Sequence, residues 1–447
     1  MKTSNKLNKG LEKRNMKTAI IHQRFLVSTG ISTDTRNIKP GSIFFALKGA
    51  NFDGNRFAAQ AIAEGAICAI VDDKNMALNN KEYIVVDNSL ESLQDLATFH
   101  RKFLGIPIIG ITGSNGKTTT KELIYTVLSK KYAVTATQGN LNNHIGVPLS
   151  LLAMDEETEI GLIEMGANHA GEIEFLSNLV MPDYGLITNF GKAHLEGFGS
   201  LEGVIQAKTE LYRHLKENKK LIFLNLDDDV QRLEINYKHN FTFGTNRKAD
   251  VKISYPETYS SAELIFNDTL FKSQLSGVYN SKNMAAALCV GLYFKVPVNE
   301  IKEAISSYIP SNNRSQIIEL NSNQIYLDAY NANPTSMMAS LQHFDKVNTN
   351  NTKIVVLGDM GELGTASETE HQVIVNFLEN ADFSEIYLVG KQFKKTTTNK
   401  PNIIKFENTE NIKKHLLLAE LKNCSILVKG SRSMALEEIL SAFETKA

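Results

Sequence analysis

Ile106-Pro-Ile-Ile-Gly-Ile-Thr-Gly-Ser-Asn-Gly-Lys-Thr-Thr-Thr120 is an apolar, β-branched run that breaks into a glycine-rich turn carrying Lys117 and Thr118. Apolar positions at Leu123, Ile124, Val127 and Leu128 follow at helical spacing. Strand, tight turn and helix start together make an anion site, because the turn and the positive end of the helix face the same point. Gly113 and Gly116 admit the backbone where a Cβ would block it. Lys117 supplies a point charge for outer phosphates, and the Thr118 hydroxyl is a Mg²⁺ ligand in such loops. The loop is shorter than the common Gly-x-x-x-x-Gly-Lys-[Ser/Thr] form, since Ile111 stands where its first glycine would be.

Working outward, 447 residues suggest about three domains. With 48 basic and 49 acidic residues there is no bulk electrostatic case for nucleic acid or an anionic membrane. No apolar run approaches the roughly 20 residues of a membrane span, and no signal peptide is expected. Cys68, Cys289 and Cys424 lie far apart in apolar surroundings and read as buried thiols, which suits a reducing cytoplasm. Met16 is an alternative start, which would leave residues 1–15 as a loose extension.

Strands alternate with helices on both sides of the loop, so the chain reads as α/β with mostly parallel sheets. The expected domains are 1–103, 104–312 and 313–447. Within the second, short β runs from Lys220 to Leu275 read as antiparallel decoration. Ile309-Pro-Ser-Asn-Asn313 reads as a linker, and Ser367-Glu-Thr-Glu370 as a capping box. Lys429-Gly-Ser431-Arg432, at a strand-to-helix turn, is a second plausible anion contact.

Four features carry chemistry beyond the loop. Asn140, Asn142 and Asn143 crowd one loop, where amides either hold a sugar or diphosphate or satisfy their own backbone. Arg36, beside Ser32 and Thr33, tilts the first polar turn toward an anion contact. Glu164 ends an apolar strand, the usual place for a second Mg²⁺ ligand near a phosphate loop. Lys208 completes the apolar stripe Leu201, Val204, Ile205, Leu211, Tyr212 and Leu215 of one helix. A lysine there snorkels to the surface, faces phosphates, or reacts with CO₂ to an oxygen-bearing carbamate; the spacing leaves all three open.

In order along the chain, Thr112–Thr118, Glu164, His194, Lys208 within Ala-Lys-Thr-Glu, Asn280 and Asn283, Arg314, Asp328 and Lys429-Gly-Ser-Arg432 resemble the Mur ligase family. Gly139–Pro148, Glu164–Ile173, Asp328–Pro334 and Gly358–Gly364 resemble the branch that joins D-alanyl-D-alanine to UDP-N-acetylmuramoyl-tripeptide. The resemblance implies a uridine-nucleotide domain, a central ATPase and a Rossmann-like C-terminal domain. It implies ATP contacts from Gly113, Ser114, Asn115, Gly116, Lys117, Thr118, Thr119, Asn280, Asn283, Arg314 and Asp328. Thr118 and Glu164 would hold one Mg²⁺, and His194 with a carbamylated Lys208 a second. Lys117, Lys208 and His194 would then be the catalytic set. Ser32, Thr33, Arg36, Asn140, Asn142 and Asn143 would face the UDP-substrate. Asn331, Asn333, Lys429, Ser431 and Arg432 would serve D-alanyl-D-alanine or domain closure. A cytoplasmic monomer without nucleic-acid or membrane partners is expected. Tyr279 replaces a usual His, Thr209 a frequent Gly and Asn313 a usual Gly. The rival readings are a sibling ligase, including a folylpolyglutamate synthase-like one, and a non-ligating nucleotide switch.

Overall fold

The computed structural model describes residues 2–77, 81–256, 261–419 and 421–444, which fall into two compact units. The first comprises 1–110, 133–166 and 175–183. It opens on a helix, Lys2–Phe25, so the segment expected as a loose extension is helical. Arg14 fastens that helix by ion pairs to Glu91 and Asp95. A four-stranded parallel sheet follows in the order Ile31–Ser32, Ile43–Phe45, Cys68–Val71, Tyr83–Val85. Its strands are short and β-branched, and the middle two are wholly buried.

The helix Ser89–Leu104 begins where the Asn88 side chain accepts from Glu91 N and stops at Gly105, φ +63. Near its end Arg101 is buried. It donates to Val180 O, Met181 O and Asp183 Oδ2, the last at 2.7 Å. Strands Val134–Ala136 and Ile160–Glu164 pair in parallel in the same unit.

The second unit comprises 111–132, 167–174 and 184–447. Tyr184–Ile187, Leu221–Asn225, Asn240–Gly244 and Val251–Lys252 pair in parallel, one after another. Among the described residues the expected antiparallel decoration is one hairpin, Glu263–Phe266 with Thr269–Lys272, and a single antiparallel bridge from Ser254 to Ile265. The other runs extend the parallel sheet: residues 226–239 give the chain room to cross over between Leu221–Asn225 and Asn240–Gly244, while only 245–250 precede the short last strand. The lysine-bearing helix is two helices, Leu201–Lys208 and Glu210–Glu217, which meet at Thr209.

The C-terminal sheet runs Gln316–Leu320, Asn323–Asp328, Cys424–Lys429, Thr352–Gly358, Glu385–Val389, Ile403–Phe406, with only the first pair antiparallel. Alternate residues feed opposite cores. Val355, Leu357, Ile386, Leu388 and Leu427 pack with the helices Pro334–Lys346 and Ser367–Asn380. Ile354, Val356, Val389, Ile426 and Val428 pack with Thr409–Ala419 and the 3₁₀ turns of Leu436–Ala442. Each such side chain contributes about 1.5–3 kcal/mol on burial, and a sheet covered on both faces explains the unbroken apolar runs. The expected capping box at Ser367 does not form: that helix has no side-chain cap, and Glu370 pairs with Lys192 instead. All three cysteines are free and buried. Among the described residues no helix is long and apolar enough to cross a membrane.

Candidate active site

The buried strand Ile108–Thr112 delivers the chain to Gly113. Gly113 has φ +142, and a Cβ there would lie 2.0 Å from Thr188 Oγ1, so only glycine fits. Gly116 caps the helix Lys117–Leu128 at φ +75 and lies directly under the Asn283 amide. Lys117 folds back over the turn, its Nζ donating to Gly113 O (2.8 Å) and Ser114 O (3.3 Å). Ser114 and Asn115 are wired sideways rather than toward an anion. Ser114 N donates to Asn189 O and Asn115 N to Asn189 Oδ1. An anion at this turn would meet Lys117 and the first helical turn, where Thr118 and Thr119 are buried ahead of the intrahelical ladder.

Lys208 does not snorkel. It is 1% exposed, donates to Ala167 O at 3.2 Å, and lies over the Phe198 ring, 5.1 Å from its centroid. Burial, with repulsion from Lys117, pushes its amine down to about 7, against the opposing pull of Glu172 and Glu210. A lysine so shifted is substantially neutral near neutral pH, which is the form that attacks CO₂. His194 meets the edge of the same Phe198 ring. Its Nδ1 lies 2.5 Å from Glu362 Oε2, a partner the sequence reading missed. His194, with Lys117 beyond it, holds the Glu362 carboxyl below its usual range.

In the first unit, Glu164 is 1% exposed at the end of its strand. Its Oε1 accepts from Asn142 Nδ2 at 2.8 Å, while among the described residues its buried Oε2 has no hydrogen-bond partner. A buried carboxylate oxygen left open is costly unless a cation or proton takes it, which suits an oxygen-seeking ion such as Mg²⁺. Asn143 accepts from Ile145 N and Gly146 N and so caps the helix Gly146–Leu152, while Asn140 is exposed. The amide cluster therefore divides three ways: one steadies a carboxylate, one caps a helix, and one faces solvent.

Asn280 is committed internally, donating to Ser276 O and Ser315 Oγ and accepting from Asn283 Nδ2. It holds Asn283 against Gly116, and Asn283 is the member of the pair beside the loop. Lys429 is buried and paired with Asp328 Oδ2 at 2.5 Å; Asp328 also accepts from Ser340 Oγ. Lys429 is thus a partner for Asp328 and not the separate anion contact expected of it. Tyr279 is close enough to touch Ser340, and burial raises its hydroxyl pKa well above the usual. Arg314 stacks on Tyr330, 3.6 Å from ring centroid to guanidinium carbon, with Nε buried and unpartnered among the described residues. Asn313 takes φ +56, in the left-handed region that glycine favours and asparagine tolerates.

Three segments match family descriptions: 27–101 the Mur ligase catalytic domain, 111–291 the Mur ligase middle domain, and 313–432 the glutamate ligase domain. A UDP-N-acetylmuramoyl-tripeptide–D-alanyl-D-alanine ligase of Bacillus subtilis is 37% identical, with 92% of each chain covered. The chain belongs to the Mur ligase family. The Escherichia coli ligase of the same name is 34% identical, covering 93% of each chain. Among solved structures, MurF from Acinetobacter baumannii superposes with a TM-score of 0.84 at 30% identity, covering 94% of this chain and 98% of that one. MurF from Thermotoga maritima in complex with ADP gives 0.81 at 30%, covering 94% and 97%.

In this Mur ligase the remaining expected residues are scattered by role. Arg36 is largely exposed and clasps Asp34, and the Ser32 hydroxyl bonds to Asp34 O. Thr33 is half-buried beside them. Asn331 accepts from Ala332 N, Ser431 N donates to Asp359 O, and Arg432 is exposed and paired with Glu437. Asn333 caps the helix Pro334–Lys346 and also donates from Nδ2 to Asn115 Oδ1 at 2.7 Å. No sequence spacing signals that last contact, which spans 218 positions.

Proposed function

We infer that this Mur ligase joins D-alanyl-D-alanine to UDP-N-acetylmuramoyl-tripeptide, consuming ATP and forming ADP. The observation that carries it is similarity to ligases of that name over nine-tenths of the chain. The assembled phosphate loop is consistent with it. A carboxylate is a poor acyl donor, and phosphorylation by ATP gives it a good leaving group. The free amine of the dipeptide then attacks the acyl phosphate, forming the C–N bond and releasing phosphate. This chain's share is positioning and charge: Lys117 and the helix start would hold phosphate oxygens, and Asn283, Arg314 and Asp328 would contact ATP.

Mg²⁺ would neutralise phosphate charge. Thr118 would offer it an oxygen, His194 and a carbamylated Lys208 would serve a second ion, and Glu164 is a candidate carboxylate ligand. The open Oε2 of Glu164 and the near-neutral amine of Lys208 support those roles. Ser32, Thr33, Arg36 and Asn140 are the candidates for the UDP end, having polar groups at or near the surface. Domain limits of 1–103, 104–312 and 313–447, a monomer and a cytoplasmic setting complete the reading, the first supported by the ranges of the family matches.

Phosphate release from ATP and Mg²⁺ is the test, with each acceptor present or omitted. Release that needs both substrates and yields a pentapeptide product by mass is expected. Release indifferent to both would redirect the assignment to sibling acceptors, folate first.

A further inference from the structure

Three amides on three separated stretches form one chain of hydrogen bonds. Asn333 Nδ2 donates to Asn115 Oδ1 at 2.7 Å, and Asn115 N donates to Asn189 Oδ1 at 3.0 Å. Asn189 Nδ2 returns a bond to Asn115 O at 2.9 Å, and Thr188 Oγ1 adds another to the same oxygen at 2.6 Å. Asn115 is thus held by both its backbone groups and its side chain, in the middle of the phosphate loop.

Asn333 is 7% exposed and does two jobs at once. Its Oδ1 accepts from Ser336 N at 2.9 Å, capping the helix Pro334–Lys346. Its Nδ2 is left for the loop. Neighbouring contacts run the same way: Lys192 N donates to Thr335 Oγ1 at 2.9 Å, and Lys192 Nζ pairs with Glu370 at 2.5 Å. The helix cap of the C-terminal sheet therefore reaches the loop of residues 113–117 directly.

We propose that Asn333 is a positioning residue for the ligation, setting the phosphate loop through Asn115 whenever the C-terminal part is docked. This rests on the ligase reading above. The loop has little stiffness of its own, with glycines at Gly113 and Gly116, and Lys117 bonds to its carbonyls. A donor from outside fixes the turn on which Lys117 rides. Docking of the C-terminal part and the placing of Lys117 thereby become one event.

The substitutions Asn333→Ser and Asn115→Ala separate this from a purely structural role. Serine keeps the cap, being as good a capping residue as asparagine, but is too short to reach Asn115. Alanine at 115 leaves the backbone bonds to Asn189 intact and removes only the receiver. Each change is expected to lower kcat for phosphate release about tenfold, with KM for ATP moved far less, and the double variant to be no slower than either. Hydrogen exchange of the 111–118 peptide, which needs no turnover, is expected to quicken in both variants while the 334–346 helix keeps its protection. Unchanged kcat and unchanged loop exchange in either variant overturn the proposal, as does a double variant whose effects multiply. Should Asn333→Ser fail to fold, Asn115→Ala decides alone by the same two readouts. An inactive unsubstituted enzyme would defeat the ligase reading, and the exchange measurement would still judge the amide chain.

Discussion

Replacing Lys208 with methionine should make the protein more stable near neutral pH while destroying its activity. The amine is pushed down to about 7 from an ordinary 10.5, first by burial and then by Lys117. Between those values the unfolded chain holds a proton that the folded chain has released. Stability therefore rises with pH across that window and is lowest below it. At pH 7 the cost of carrying this lysine is on the order of 4 kcal/mol. Methionine has similar length and no charge, keeps a favourable sulfur contact available to the Phe198 ring, and forfeits the bond to Ala167 O, roughly 1 kcal/mol. A gain on the order of 3 kcal/mol is expected near pH 7, vanishing near pH 10. Urea unfolding of both proteins at the two pH values, in buffer stripped of CO₂, measures it. A variant less stable near pH 7, or a difference that does not change with pH, would refute the account of Lys208 as a strained, near-neutral amine. In the unsubstituted protein, restoring bicarbonate should raise activity and produce a carbamate carbon signal by NMR.

Lys117→Ala should reduce ATP turnover at least about a hundredfold while leaving UDP-substrate binding by calorimetry intact; persistent turnover would undo the phosphate-loop assignment. Glu164→Gln keeps shape and the bond from Asn142 but removes the charge, so the Mg²⁺ needed for half-maximal rate should rise about tenfold, read by metal titration. Asp183→Ala strands the buried Arg101 guanidinium, and unfolding should become easier by about 3–5 kcal/mol. Gly113→Ala forces a Cβ onto Thr188, and nucleotide binding by fluorescence titration should disappear even where the protein still folds.

What the sequence made legible was local. The strand, turn and helix of 108–128, the mostly parallel sheets and the lysine on an apolar stripe all follow from periodicity and turn chemistry within about 20 residues. The misses share a cause, namely partners far away in the chain. Ser367 and Glu370 have the spacing of a capping box, yet Lys192 takes Glu370 from 178 positions away. Asn280 and Asn283 look equivalent at helical spacing, but Ser315, 35 positions on, helps claim one and leaves the other by Gly116. His194 gave no hint of Glu362, and the amide loop no hint that Asn142 would steady Glu164. Short strands between 221 and 252 lacked any local mark of direction, because strand propensity is blind to which neighbour a strand joins.

The placing of the C-terminal sheet in one compact unit with the phosphate loop also bears on how such enzymes recombine. A chimera that took residues after the linker from a relative with another amino-acid preference would inherit that relative's hinge, cap and sheet. It would also inherit whatever stands at positions 333, 335 and 370. Unless those positions still matched Asn115 and Lys192, the graft would fold and yet idle. Exchange of specificity by swapping whole modules is thus constrained by a handful of polar contacts.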